Sequence, residues 1–220
     1  MCNLYSLTKG PEGVRRWFGK IIEGPFENRA GNLQPDDFYP DSPAPVVRKT
    51  EAGLELVRLR WGMPSPFFAM KGRETDPGVT NIRSAGSPHW RRWLGPEHRC
   101  VVPANRFCEW ENTVPKKTKV WFALDDEEPL FFFAGIWTPW HGIRKKAEGP
   151  QDHELFGFLT TDANAVVKPI HPKAMPVLLT TPEEVHHWLE APTKDALSLQ
   201  RPLPDEKLKI IGRGDLAYLS

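Results

Sequence analysis

Proline is the feature that most constrains this chain: 23 prolines are scattered through 220 residues. A residue without a backbone N–H cannot sit inside a long helix or a central strand, so the chain must be many short elements joined by shaped loops. Between the prolines the apolar runs are short and strand-like: "APVVRK" at 44–49, "LELVRLRWGM" at 54–63 and "RCVVPANRFCEW" at 99–110. "KVWFALD" at 119–125, "LFFFAGIW" at 130–137 and "LFGFLTTDA" at 155–163 continue the series, and Glu51–Gly53 reads as a hairpin turn.

Helical signals are few. Residues 12–20 space Val14, Trp17 and Phe18 on one face, and "SPHWRRWL" at 87–94 offers Ser87 as N-cap with Pro88 first in the helix. "TTPEEVHHWLEA" at 180–191 pairs Thr181 as N-cap with Glu184 in a capping box. The stretch 21–45 reads as a long loop, 141–154 as an exposed loop or hairpin tip, and 191–220 as a C-terminal extension packed on the same domain. The expectation is one α+β domain over 1–220, dominated by strands.

The remaining totals narrow the setting. Lys plus Arg at 29 against Asp plus Glu at 28 leaves a formal net charge of +1, so any anion-binding surface must be local. Three widely spaced cysteines fit a reducing compartment, the first ten residues lack a signal peptide's basic leader and apolar core, and the longest apolar run, 129–137, is too short to span a bilayer. A cytoplasmic protein without a membrane element is expected.

Several residues could carry chemistry. His98, Cys100 and Cys108 lie within eleven residues, yet the two cysteines lack the tight pairing of structural zinc sites, so buried cysteines are the expected alternative to zinc. No nucleotide-binding glycine run or serine-hydrolase elbow is present. Glu109 interrupts a strand-like run where burial would raise its pKa, with a salt bridge as the structural alternative. His171, held between prolines, could transfer protons or be merely structural. Asn81 and Arg83 in "TNIRSAGS" offer an amide and a guanidinium to an oxyanion, or form a plain surface turn; Arg58, Arg60, Arg91, Arg92 and Lys173 could join Arg83 in a basic patch.

Cys2 stands apart. Without Met1 it would present an α-amine and a thiol on one residue, and such an aminothiol reacts with an aldehyde through an imine that the thiol closes into a thiazolidine.

The opening Met-Cys, "NLQP" at 32–35, "RWGM" at 60–63, "NIRS" at 81–84, "RCVVPANRFCEW" at 99–110 and "IHPKAMPVLL" at 170–179 together resemble the SOS response-associated peptidase family of abasic-site processing proteins. The resemblance implies a single compact domain with a mainly antiparallel, barrel-like curled core and a few short peripheral helices. It implies covalent capture of ring-opened abasic sites in single-stranded DNA, with lyase chemistry, self-removal of Met1 and crosslink reversal. By the same resemblance Cys2 is the nucleophile, Asn81 holds the opened sugar or the reacting N-terminus, Glu109 exchanges protons, and His171 acts at ring opening. Asn32 and Pro35 shape the cleft, Trp61 and Gly62 form its wall, Trp110 lies beside Glu109, and Arg83 and Thr160 contact the DNA backbone.

The resemblance implies no cofactor, no metal, no obligate protein partner and a monomer, nucleoid-associated when bound to DNA. The sequence departs from it at "CNLY", where the family begins "CGRF" and supplies an arginine, after Arg83, where the family's glutamate is missing, and at "HPKAMP", one residue longer than the usual form. Two other readings fit some of the same residues: a cysteine peptidase acting on other proteins, and a noncovalent single-strand-binding module in which Cys2 is incidental.

Overall fold

The computed structural model describes residues 2–19 and 24–218. In chain order the elements are β1 (Tyr5–Leu7), α1 (Pro11–Phe18), β2 (Phe26–Asn28), β3 (Asp36–Phe38), β4 (Pro43–Thr50), β5 (Gly53–Trp61), α2 (Phe67–Met70), β6 (Asn81–Ile82) and α3 (Pro88–Arg91). There follow β7 (Arg99–Ala104), β8 (Arg106–Glu111), β9 (Thr118–Ala123), β10 (Phe131–Gly142), β11 (Gln151–Thr161), β12 (Met175–Pro176), β13 (Leu178–Leu179), α4 (Pro182–Glu190), α5 (Thr193–Ala196) and β14 (Lys209–Arg213).

Five long strands close into a barrel in the order β5–β4–β7–β10–β11, and β11 returns to β5. Each neighbour around this ring is antiparallel except the last pair, where Leu155 and Phe156 lie parallel to Arg60 and Trp61. An odd number of strands cannot alternate direction all the way round a closed ring. The parallel seam is therefore a consequence of closure, and closure removes the exposed edges that short strands would leave. The fold is α+β with a closed, mainly antiparallel barrel and short peripheral helices, as the family resemblance implies.

A second sheet, ordered β14–β9–β8–β1–β3, packs beside the barrel. The two sheets part company at a single residue. The run 99–110 reads as one strand, but Ala104 pairs with Phe131 in the barrel whereas Arg106 pairs with Ser6 in the second sheet. Asn105 turns the corner. Fully buried, it accepts from the Thr8 N–H (2.8 Å), donates from Nδ2 to Glu128 O (2.7 Å), and donates its own N–H to Ser6 O (2.9 Å). Its side chain supplies bonds that the two broken ladders would otherwise leave unmade.

Two further stretches differ from the sequence reading. Of the expected loop 21–45, residues 21–23 lie outside the described residues, and the rest contains the short strands β2 and β3, recruited by parallel pairing with β5 and antiparallel pairing with β1. Both ends of 141–154 are strand: β10 runs to Gly142 and β11 starts at Gln151, so the tip is confined to 143–150. Within that tip Arg144 is buried and donates to Gly62 O (3.0 Å) and to Asp41 Oδ1 (3.0 Å). At α4 the capping box is displaced by one residue. Thr181 Oγ1 accepts from the Glu184 N–H, but Glu184 accepts from the N–H of Thr180 rather than of Thr181.

The core is aromatic. Tyr5 of β1 packs against Trp61 (5.3 Å between ring centres), Phe133 (5.4 Å) and Phe158 (6.2 Å) from three barrel strands. That contact fixes the N-terminal strand on the barrel, with Cys2 three residues upstream.

Candidate active site

The site is built at the junction of the two sheets. Antiparallel pairing sets Tyr5 opposite Phe107, and the Cys108 N–H donates to Leu4 O (2.9 Å), which carries the ladder on toward Asn3 and Glu109. From the barrel side, β6 lies parallel to β11 with Asn81 beside Phe158. Asn81 Nδ2 donates to Cys2 O (2.9 Å) and to Thr80 Oγ1 (2.8 Å). One carboxamide thus ties residue 2 to the barrel.

Cys2 itself is fully buried, and its Sγ donates to Leu4 O at 3.4 Å. Burial pushes its thiol pKa up, and the charge of Glu109 pushes it further. Glu109 is also buried, and loss of hydration raises its carboxyl pKa to about 7. The neighbouring Arg106 does not neutralise it. That guanidinium turns to Glu128 Oε1 (3.2 Å) and to the chain's C-terminal carbonyls. A carboxyl group poised near neutrality can both give and take a proton.

His171 stands on the loop between β11 and β12, anchored by its backbone N–H to Val167 O (2.9 Å). The loop is shaped by Asn164, whose Oδ1 accepts from the Val167 N–H (3.0 Å) while Nδ2 donates to Leu203 O (3.0 Å). Burial lowers the His171 pKa, with the Lys173 charge adding to it, which favours the neutral imidazole. Glu109, His171 and Trp110 line one cleft of about 850 Å³ together with Asn3, Asn112, Lys116, Lys117 and Lys173. The arrangement offers a thiol-bearing N-terminal segment and two proton-transfer groups beside a basic opening.

Five residues singled out in the sequence therefore meet: Cys2, Asn81, Glu109, Trp110 and His171. The others lie elsewhere. Trp61 is fully buried, stacks on Phe158 at 5.2 Å and donates from Nε1 to Thr80 O; it is barrel core, with no face open to a base. Gly62 backs the buried Arg144, not the cleft. Thr160 is buried within β11, so its hydroxyl faces no backbone of a bound strand. Arg83 is exposed but paired with Asp162. Asn32 and Pro35 are exposed on the loop ahead of β3.

The basic patch also disperses. Arg58 and Arg60 line a separate cleft with Glu148 and Glu154, and Arg92 lines another beside Trp93; only Lys173 reaches the site. Cys100 and Cys108, weighed as metal ligands with His98, belong to different sheets and are both buried. Burial raises the Cys108 pKa to about 12 and that of Cys100 as well, which suits neutral thiols. Sequence reasoning passed over Asn3, Asn112, Lys116 and Lys117. The one available signal was the cationic "PKKTK" directly after "CEWENTV".

The chain is similar over 151 residues to the abasic site processing protein YoqW of Bacillus subtilis, with 31% identity, covering 66% of this chain and 62% of that one. It is 27% identical over 188 residues to the abasic site processing protein HMCES of Mus musculus, covering 67% of this chain and 49% of that one. The chain thus spans roughly half to just over three fifths of these relatives' lengths. Among solved structures, a Bordetella bronchiseptica protein shares the fold with a TM-score of 0.72 and 21% identity over 99% of this chain and 100% of that one. A Bacteroides thetaiotaomicron protein does so with a TM-score of 0.65 and 22% identity, over 94% and 90%. The model of the family described as SOS response associated peptidase (SRAP) matches residues 1–212, from Met1 into the last strand, and the chain belongs to that family.

Proposed function

We propose that this protein captures ring-opened abasic sites in single-stranded DNA by covalent attachment to Cys2, acting as a cytoplasmic monomer without a cofactor. The observation that carries the reading is the tether from Asn81 Nδ2 to Cys2 O, one residue before Asn3, which lines the cleft that holds Glu109 and His171. It fixes the backbone of the one residue that can become an aminothiol, next to groups able to move its protons. Names borne by the Bacillus and mouse relatives point to the same lesion.

Hydrolysis of the Met1–Cys2 peptide bond would consume a water molecule and free the α-amine. That amine adds to the C1′ aldehyde of the opened deoxyribose and water leaves, giving an imine. The thiol then adds across the C=N bond, its proton passing to nitrogen, and a thiazolidine closes with nothing further lost. Glu109, with a pKa near 7, shuttles protons at peptide hydrolysis, dehydration and reversal; the neutral His171 serves the sugar oxygen. At the imine stage, proton loss from the sugar would permit strand cleavage, the lyase side of the same chemistry.

Intact-mass measurement after incubation with an abasic single-stranded oligonucleotide tests the proposal. The expected result is a protein lacking Met1, converted to an adduct that survives denaturation, and no adduct for Cys2→Ala. Binding of the abasic strand without adduct, equally by both proteins, would establish a noncovalent binder instead. Turnover of unrelated peptides in place of adduct formation would establish a peptidase.

A further inference from the structure

The β8–β9 hairpin connection, 112–117, forms one wall of the cleft and carries Lys116 and Lys117 into it; the loop around Pro172 forms another and carries Lys173. Three of the ten residues lining this cleft are therefore lysines, set on two separate loops. None of the three makes an ion pair with any described carboxylate, whereas Lys119 pairs with Asp215 (2.7 Å) and Arg83 with Asp162. Asp215, which feels the charge of Lys116, is paired with Lys119. Between the walls Trp110 keeps more than a third of its surface exposed, at 38%.

Unpaired ammonium groups on two loops fit a polyanion passing between them, and the half-open indole of Trp110, with Lys119 Nζ over its ring at 5.8 Å, fits a base stacked on its other face. The geometry points to Lys116 and Lys117 as a phosphate-binding wall for single-stranded DNA, with Lys173 on the other loop, so that the strand is threaded past Glu109 across the β8–β9 connection. This inference rests on the single-strand reading proposed above. It adds a phosphate contact on a loop that the sequence motifs do not include.

Each phosphate neutralised on a single strand contributes about 0.7 to the slope of log affinity against log salt. Fluorescence anisotropy with an unmodified oligothymidylate, titrated over a range of salt, reads that slope without any covalent step. For Lys116→Gln/Lys117→Gln the slope becomes shallower by about 1.4, which is about 25-fold weaker binding at about 0.1 M salt. Lys194→Gln/Lys207→Gln removes equal charge from exposed positions outside the cleft and serves as the control; circular dichroism and thermal melting verify that both double variants are folded. An unchanged slope in Lys116→Gln/Lys117→Gln, or an equal change in the control, overturns the inference. Adduct yield with saturating abasic oligonucleotide separates the two proposals. If wild type forms the adduct while the slopes coincide, the lysine wall falls and capture stands; if the slope changes but no adduct forms, capture falls and the wall stands.

Discussion

At the scale of the residue, Glu109 is the clearest case of environment overriding chemistry. Its ordinary carboxyl would be ionised well below neutrality, but burial holds its pKa at about 7. The folded state therefore keeps a proton that the unfolded chain releases. Stability from this group is fully present below about pH 4.5 and is lost as pH rises through 7. Glu109→Gln removes that dependence: relative to the variant, wild type loses on the order of 2–3 kcal/mol between those limits, measurable by urea unfolding across the pH range. In the same variant, adduct formation slows by roughly 10²–10⁴-fold while affinity for an unmodified strand holds, as checked by quenched time courses. Unchanged rates would remove the proton-transfer role. The sequence singled out Glu109 because a carboxylate inside a strand-like run is anomalous; how deeply it is buried, and that Arg106 pairs with Glu128, depend on the tertiary structure.

At the scale of the element, the tip joining β10 to β11 shows how a stretch that reads as solvated becomes structural. Arg144 reaches from it under Gly62 and Pro77 to Asp41, and its side chain is almost wholly buried. Gly62 adopts φ +144°, and a Cβ there would stand 2.6 Å from Arg144 Nη2. Gly62→Ala must both strain the backbone and push the guanidinium out of its cradle, at a cost of about 2–4 kcal/mol. Urea unfolding measures the loss, and Arg144→Ala in the Gly62→Ala background should add less than it does alone. Nothing in "HGIRKKAEGP" signals this role, because the partners are Asp41 ahead of β4, Gly62 just after β5 and Pro77 in the loop ahead of β6, all remote in sequence.

At the scale of the whole molecule, two sheets share one chain corner, and β1 of the second sheet packs Tyr5 against the barrel. The second sheet depends on its outer cover: Trp121 Nε1 donates to Gly214 O (2.8 Å), and Arg106 donates to Ala217 O (3.1 Å) from beneath it. Removing residues 209–220 strips β14 from β9 and leaves buried donors unpaired. Loss of roughly 4 kcal/mol or more is expected, seen as a fall in Tm of about 10 °C in a thermal melt. Because β1 lies in the same sheet, adduct formation at Cys2 should fall with it even at temperatures where the barrel persists.

Local pattern sufficed for the short strands, the hairpin turn at 51–53 and the helix start at Thr181. These follow from alternation and capping, properties of a residue and its near neighbours. The meeting of Cys2 with Asn81, the split of 99–110 at Asn105, the burial of Trp61 and Thr160, and the lysine wall of 112–117 were decided by tertiary structure. Each depends on which strands become neighbours when an odd ring closes, and that choice is made by long-range packing that local sequence periodicity does not encode.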